Sequence, residues 1–168
     1  YFKDKKVLLG ADIDLSHIVD FQVPTFAGIF DGQGHTISGI SLSKSGSVQG
    51  LFRYLQEDAV IKNLHISGDI TPSGSRNIIG SLVGNNKGSI EHCHFNGTVV
   101  GEDNIGGLVG INEATGNISH CSSTGMVTGV HFTGGIVGQN LGTIFKSTNY
   151  SKINTTISET TVNIESID

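Results

Sequence analysis

Charge is scarce in this chain. Asp, Glu, Lys and Arg make up 15% of its 168 residues, against roughly 25% in ordinary globular domains. The net charge is −5, and Lys and Arg are scattered without a basic run. That balance argues against nucleic acid as a partner, because phosphate binding needs clustered positive charge. Long apolar runs are missing too. The longest are strand-sized, so no segment reads as a membrane-spanning helix. The opening Tyr1-Phe2-Lys3-Asp4-Lys5-Lys6 is charged and the apolar run after it is short, so no signal peptide is expected. The first residue is not Met, which points to an excised piece of a longer protein. Cysteine occurs twice, too rarely to speak about redox compartment.

Glycine is what the chain has in excess, 24 of 168 residues, about twice the usual ~7%. Low charge with much Gly, Ser, Thr and Asn does not describe a helical bundle. It does not describe disorder either, because Ile, Val, Leu and Phe recur at fixed places. The recurrence is a repeat. Gly80-Ser81-Leu82-Val83-Gly84, Gly106-Gly107-Leu108-Val109-Gly110 and Gly134-Gly135-Ile136-Val137-Gly138 start 26 and then 28 residues apart. Their tails also match: Ser89-Ile90-Glu91-His92-Cys93, Asn117-Ile118-Ser119-His120-Cys121 and Thr143-Ile144-Phe145-Lys146-Ser147. A fixed period of this size marks stacked units that cannot bury their apolar side alone.

One period reads as three short strands: Ser81–Val83, Ile90–Phe95 and Thr98–Val100, with turns at 84–88 and 101–104. Strands of three to six residues joined head to tail by Gly/Asn corners describe an all-β, right-handed parallel β-helix, a three-sided solenoid of about six coils. Superposed coils give core ladders: Ile90, Ile118 and Ile144 above Ile61; Cys93, Cys121 and Ser147 above Leu64; and Leu82, Leu108 and Ile136 above Leu51. Each buried Leu or Ile contributes roughly 1.5–3 kcal/mol. Asn86, Asn112 and Asn140 align at a corner, where stacked amides hydrogen-bond up the column. Cys93 and Cys121 read as buried thiols rather than a disulfide, since parallel side-chain vectors fit the required dihedral poorly.

Residues 1–168 read as a single solenoid domain. Residues 1–49 supply the N-terminal coils and a cap over the exposed strand edge, with the Pro24 region as an excursion. Residues 50–154 are the repeat coils, beginning with a degenerate one. Residues 155–168 are a last strand or a linker, and the alternation in Thr160–Ile164 favours a strand.

The signature Gly-Gly-Leu-Val-Gly-x-Asn at Gly106–Asn112, with Ile-x-x-Cys and Gly-x-Val-x-Gly after it, resembles the GLUG motif. Ala11-Asp12-Ile13-Asp14-Leu15 and Phe30-Asp31-Gly32-Gln33-Gly34-His35-Thr36-Ile37 are similar to the segment that precedes such repeats, so the resemblance covers roughly residues 5–154. It implies a repeat region of bacterial surface proteins, among them adhesins and the long non-catalytic regions of immunoglobulin A1 metalloproteases. Ser81 in place of the second Gly, Ser147 in place of the third Cys, and a turn lengthened by Glu113-Ala114 are modest departures. The protease signature of two His around a Glu on a helix is absent from the sequence.

Histidines are the nearest thing to a site. The ladder sets His65 beside His94 and His92 beside His120, with Asn63 and Lys146 continuing the second column. His92 and His94 flank the inward Cys93, so both should point outward, about 7 Å apart along the strand. Imidazoles on one outer face could ligate zinc or nickel, but Cys93 points away from them and an outer face needs polar residues anyway. The expectation is therefore no metal and no cofactor. Among the acids, Asp69, Glu102 and Asp103 read as corner residues without a matching basic cluster, and no pair is spaced for glycoside hydrolysis. Asp31 and His35 read as serving their turn. No catalytic residue is assigned.

These residues describe a non-catalytic structural or adhesive module of a bacterial secreted or cell-surface protein, presenting stacked Thr, Ser, Asn and His. The alternatives are a carbohydrate-active or carbohydrate-binding β-helix domain, and an accessory region of a secreted metalloprotease. Expected partners are a host protein or glycan and the flanking domains of a longer chain, with no nucleic acid and no membrane span in this fragment.

Overall fold

A computed structural model describes residues 2–155, so the Thr160–Ile164 segment lies outside the described residues. All regular structure among them is β-strand, and every strand pair is parallel. The strands form three sheets. The chain circles from one sheet to the next and returns to the first one layer higher, which is a three-sided β-solenoid of about five turns.

One sheet stacks five short strands: Val23–Phe26, Phe52–Leu55, Val83–Asn86, Val109–Asn112 and Val137–Asn140. A second stacks four: Val48–Gln49, Ile78–Ile79, Asp103–Gly106 and His131–Gly134. The third is the long face, whose central strands are Val60–Ile70 and Ser89–Val100. It has one layer more than the five-stranded face, because Lys6–Leu8 and Ile13–Asp14 pair beneath Ile29–Asp31 and Thr36–Leu42. The expectation of about six coils counted those N-terminal pieces as a full coil, but they build only one side.

The three sides are not cut where the sequence suggested. Leu82 lies in the bend before a strand that runs from Val83 to Asn86, so Asn85 and Asn86 are strand residues rather than turn. The two later strands of the period form one continuous strand, Ser89–Val100. Asp103 and Asn104 open the next strand instead of closing a loop. Pro24 is no excursion: Val23–Phe26 is the first strand of the five-stranded face. It sits at the end of the stack, where a residue with no N–H is tolerated.

The interior is a set of inter-coil ladders. Ile61, Ile90, Ile118 and Ile144 pair in register, and Leu64 pairs with Cys93. Leu51, Leu82 and Leu108 are buried in successive bends. Asn86 and Asn112 are fully buried, and the amide of each donates to the side-chain oxygen of the next, Asn86 to Asn112 at 2.7 Å and Asn112 to Asn140 at 2.8 Å. Buried amides are tolerated because each polar atom meets a partner. At the N-terminal end Phe26, Phe30 and Phe52 pack edge-on with ring centres 5.3–6.2 Å apart. Gly97 has φ +157° and Gly125 φ +117°, and a Cβ on either would strike the glycine carbonyl one coil below.

Histidine stacks on the long face as the candidate functional site

The long strands bend at one column. Asn63, His92, His120 and Lys146 all adopt left-handed backbone, with φ between 47° and 53°. Asn and His are enriched among non-glycine residues in that conformation, so local backbone geometry gives these imidazoles a structural reason to be there. After the last three of these bends the next residue turns inward and binds back across the bend, while Leu64 after the first is simply buried. Cys93 Sγ donates to the Glu91 carbonyl at 3.3 Å, Cys121 Sγ to Ser119 at 3.2 Å, and Ser147 Oγ to Phe145 at 3.3 Å. Serine in the third copy therefore does what cysteine does in the first two. Both cysteines are free and buried, and burial pushes the Cys93 thiol well up.

The bend separates His92 from His94, so they do not flank Cys93 along one straight strand as the sequence suggested. They belong to two stacks. His92 lies parallel on His120, ring centres 4.8 Å apart at 5°, and the edge of Phe145 meets His120 at 5.8 Å. His65 and His94 are opposed in register, with ring centres 4.9 Å apart and tilted by 37°. His94 Nδ1 is 2.7 Å from Ser122 Oγ on the coil above. Burial, followed by the neighbouring His65 and His92, holds His94 below the ordinary histidine value. Parallel rings one coil apart present their edges side by side, and among the described residues no three His, Cys, Asp or Glu side chains are grouped to hold a metal ion.

The remaining polar side chains are tied into turns and inter-coil pairs. His35 pairs with Asp12 at 3.1 Å, not with Asp31, whose carboxylate accepts from Asn63 Nδ2 and the Gln33 amide. His131 faces Asp103 at 2.6 Å. Glu102 binds Arg76 at 2.9 Å, a basic partner the sequence reading missed because it lies one coil away in a loop. Asp69 and Asp103 are strand residues rather than loop acids. Asp12, Asp14, Asp20 and Asp31 are all held below the usual carboxylate value. The main cause is a hydrogen bond from the backbone amide of Thr36, Ser16 or Ser43 for the first three, and from the Asn63 side chain for Asp31. A surface recess near the N-terminus mixes Lys3, Lys5 and Lys6 with Asp4, Glu57 and Asp58. No helix among the described residues is long and apolar enough to cross a membrane.

This architecture and its repeating corner define the class, a three-sided β-solenoid of stacked repeats. Residues 75–100 and 101–128 each match the family model of the GLUG motif. Two curated relatives share about half of the chain. Halomucin of Haloquadratum walsbyi is 36% identical over 89 residues, 52% of this chain and 1% of its own length. The "Putative Gly-rich membrane protein" of Evansella cellulosilytica is 33% identical over 96 residues, 50% of this chain and 11% of its own length. Among solved structures, a "putative immunoglobulin A1 protease" from Bacteroides ovatus has the same fold. The TM-score is 0.60 at 24% identity, covering 90% of this chain and 61% of that one. The chain thus spans only a small fraction of its curated relatives.

Proposed function

We propose that this solenoid is a non-catalytic structural or adhesive module of a bacterial secreted or cell-surface protein. The observation that carries the reading is the continuity of the ladders. Ile and Asn columns run coil to coil in register, which makes a stiff stack whose outer positions are free to vary. The long face presents such positions: Thr36, His65, His94 and Ser122 in one column, and Ser67, Asn96 and Thr124 in the next. The names of its relatives support a surface setting, since one is named a Gly-rich membrane protein and another is mucin-like by name. Host proteins and glycans are the partners such a face would meet.

The test is to incubate the purified chain with arrays of glycans and extracellular host proteins, and separately with immunoglobulin A1 and polysaccharides while watching for cleavage. Binding without cleavage supports an adhesive face. Neither binding nor cleavage supports a spacer. Cleavage of any substrate overturns the non-catalytic reading and favours a carbohydrate-active domain or a working part of a protease.

A further inference from the structure

We propose that the contact between coils at His65, His94 and Ser122 is an acid-sensitive seam, loosened when His94 takes up a proton. The register sets Thr36, His65, His94 and Ser122 in one column. His94 is held from above by Ser122 Oγ at 2.7 Å and from below by the His65 ring at 4.9 Å. His92 lies two residues earlier, itself stacked on His120. The half-buried His94 ring is therefore flanked by two other imidazoles and the Ser122 hydroxyl. Among the described residues no carboxylate opposes it in the column.

The charged groups on neighbouring strands do not fill that gap. Glu91 precedes His92 but is opposed to Lys62 and Ser119. Asp69 lies four positions beyond His65 and is opposed to Ser41 and Thr98. Lys146 continues the His92–His120 column and adds positive charge. Two other histidines are built the opposite way: His35 faces Asp12 and His131 faces Asp103. The chain thus holds histidines that meet a carboxylate across the coils and histidines that meet one another.

Burial and the adjacent imidazoles hold His94 below the ordinary value, so folding favours its neutral form. A base whose folded-state value is depressed costs the fold nothing above the unfolded value, about 6.5. Stability then falls as the pH drops below that value and through the lower folded one. Most carboxylates titrate below this window.

The experiment is thermal unfolding of the full chain at pH 7.5 and pH 5.0, for the native sequence and for His94→Gln, which keeps a donor for Ser122. Histidine titration by NMR accompanies it. The native melting temperature should fall by about 2–4 °C over this interval, and the fall should shrink by at least half in His94→Gln. The His94 titration midpoint should lie below that of an unfolded histidine and rise in His65→Gln. An equal fall in both proteins overturns the proposal. So does a His94 midpoint at or above the unfolded value, a result that stays readable if His94→Gln does not fold.

Discussion

The third and fourth turns and the last one are written in nearly the same letters but live in different surroundings. Ile90 and Ile118 have no exposed surface, while Ile144 at the same ladder position is 38% exposed. Val99 and Val127 are likewise fully buried, and Ile153, paired with Val127, is 36% exposed. Asn86 and Asn112 are sealed, whereas Asn140 lies at the surface. The residues are the same or, for Val127 and Ile153, close in kind; among the described residues no coil lies above the last turn. In a solenoid, burial belongs to the interface between repeats rather than to a repeat, so a ladder residue contributes according to how many neighbours it has.

Steric substitutions break this comparison most forcefully. A side chain at Gly107 would run into the Gly135 carbonyl and the Ser123 hydroxyl, with coils packed on both sides. At Gly135 the obstacle is the side chain of Asn149, which can swing away. Gly107→Val should cost more than about 4 kcal/mol and Gly135→Val about half of that or less, read as midpoints in urea unfolding. Equal costs would mean that the last turn is packed as tightly as the inner ones.

Truncating a ladder comes next. Ile118→Ala should cost about 2–5 kcal/mol because a closed core cannot collapse around the gap. Ile144→Ala should cost about 1 kcal/mol, since much of its surface already meets water. Asn112→Ala removes the acceptor for Asn86 and the donor to Asn140. Leaving the Asn86 amide buried without that partner should cost about 1–3 kcal/mol. Asn140→Ala affects one inter-coil bond near solvent and should cost less than half as much. Hydrogen exchange at the Gly88 amide, which Asn86 Oδ1 accepts at 3.1 Å, checks that the damage travels down the column.

The ladders were legible in the sequence because inward positions recur with the period, as Ile90, Ile118 and Ile144 do. The sides were harder to place. Asn85-Asn86 reads as turn chemistry, yet the buried amide column needs Asn86 in a strand pairing with Asn112. Local propensity lost to an inter-coil hydrogen bond. Pro24 misled for a related reason, since a proline is acceptable at the free edge of a stack and only the register with Phe52 shows that it lies there. The pairing of His65 with His94 and His92 with His120 followed from the period alone. The bend that parts them did not, because left-handed backbone at His92 leaves no mark that strand alternation would reveal. Arg76 was missed because it lies outside the repeated signature, and its link to Glu102 appears only once the coils are stacked.

The gentlest probe of the comparison uses the cysteines. Each binds back across a left-handed corner to the carbonyl two residues earlier, and Ser147 makes the same bond in the last turn. Serine is therefore chemically competent at this position, and what differs is the dryness around it. Cys93 lies between Leu64 and Cys121 with its thiol near the Ile61 carbonyl, so Cys93→Ser places a hydroxyl in the innermost part of the stack. Cys121 lies next to Ser147, whose hydroxyl already accepts from the Cys121 amide at 3.2 Å. Cys121→Ser should cost under about 1 kcal/mol and Cys93→Ser about 1–2 kcal/mol, measured by urea unfolding at pH 7.5 under reducing conditions. If the order were reversed, the corner hydrogen bond would outweigh the burial gradient, and the end of the stack would be the more demanding place for a polar atom.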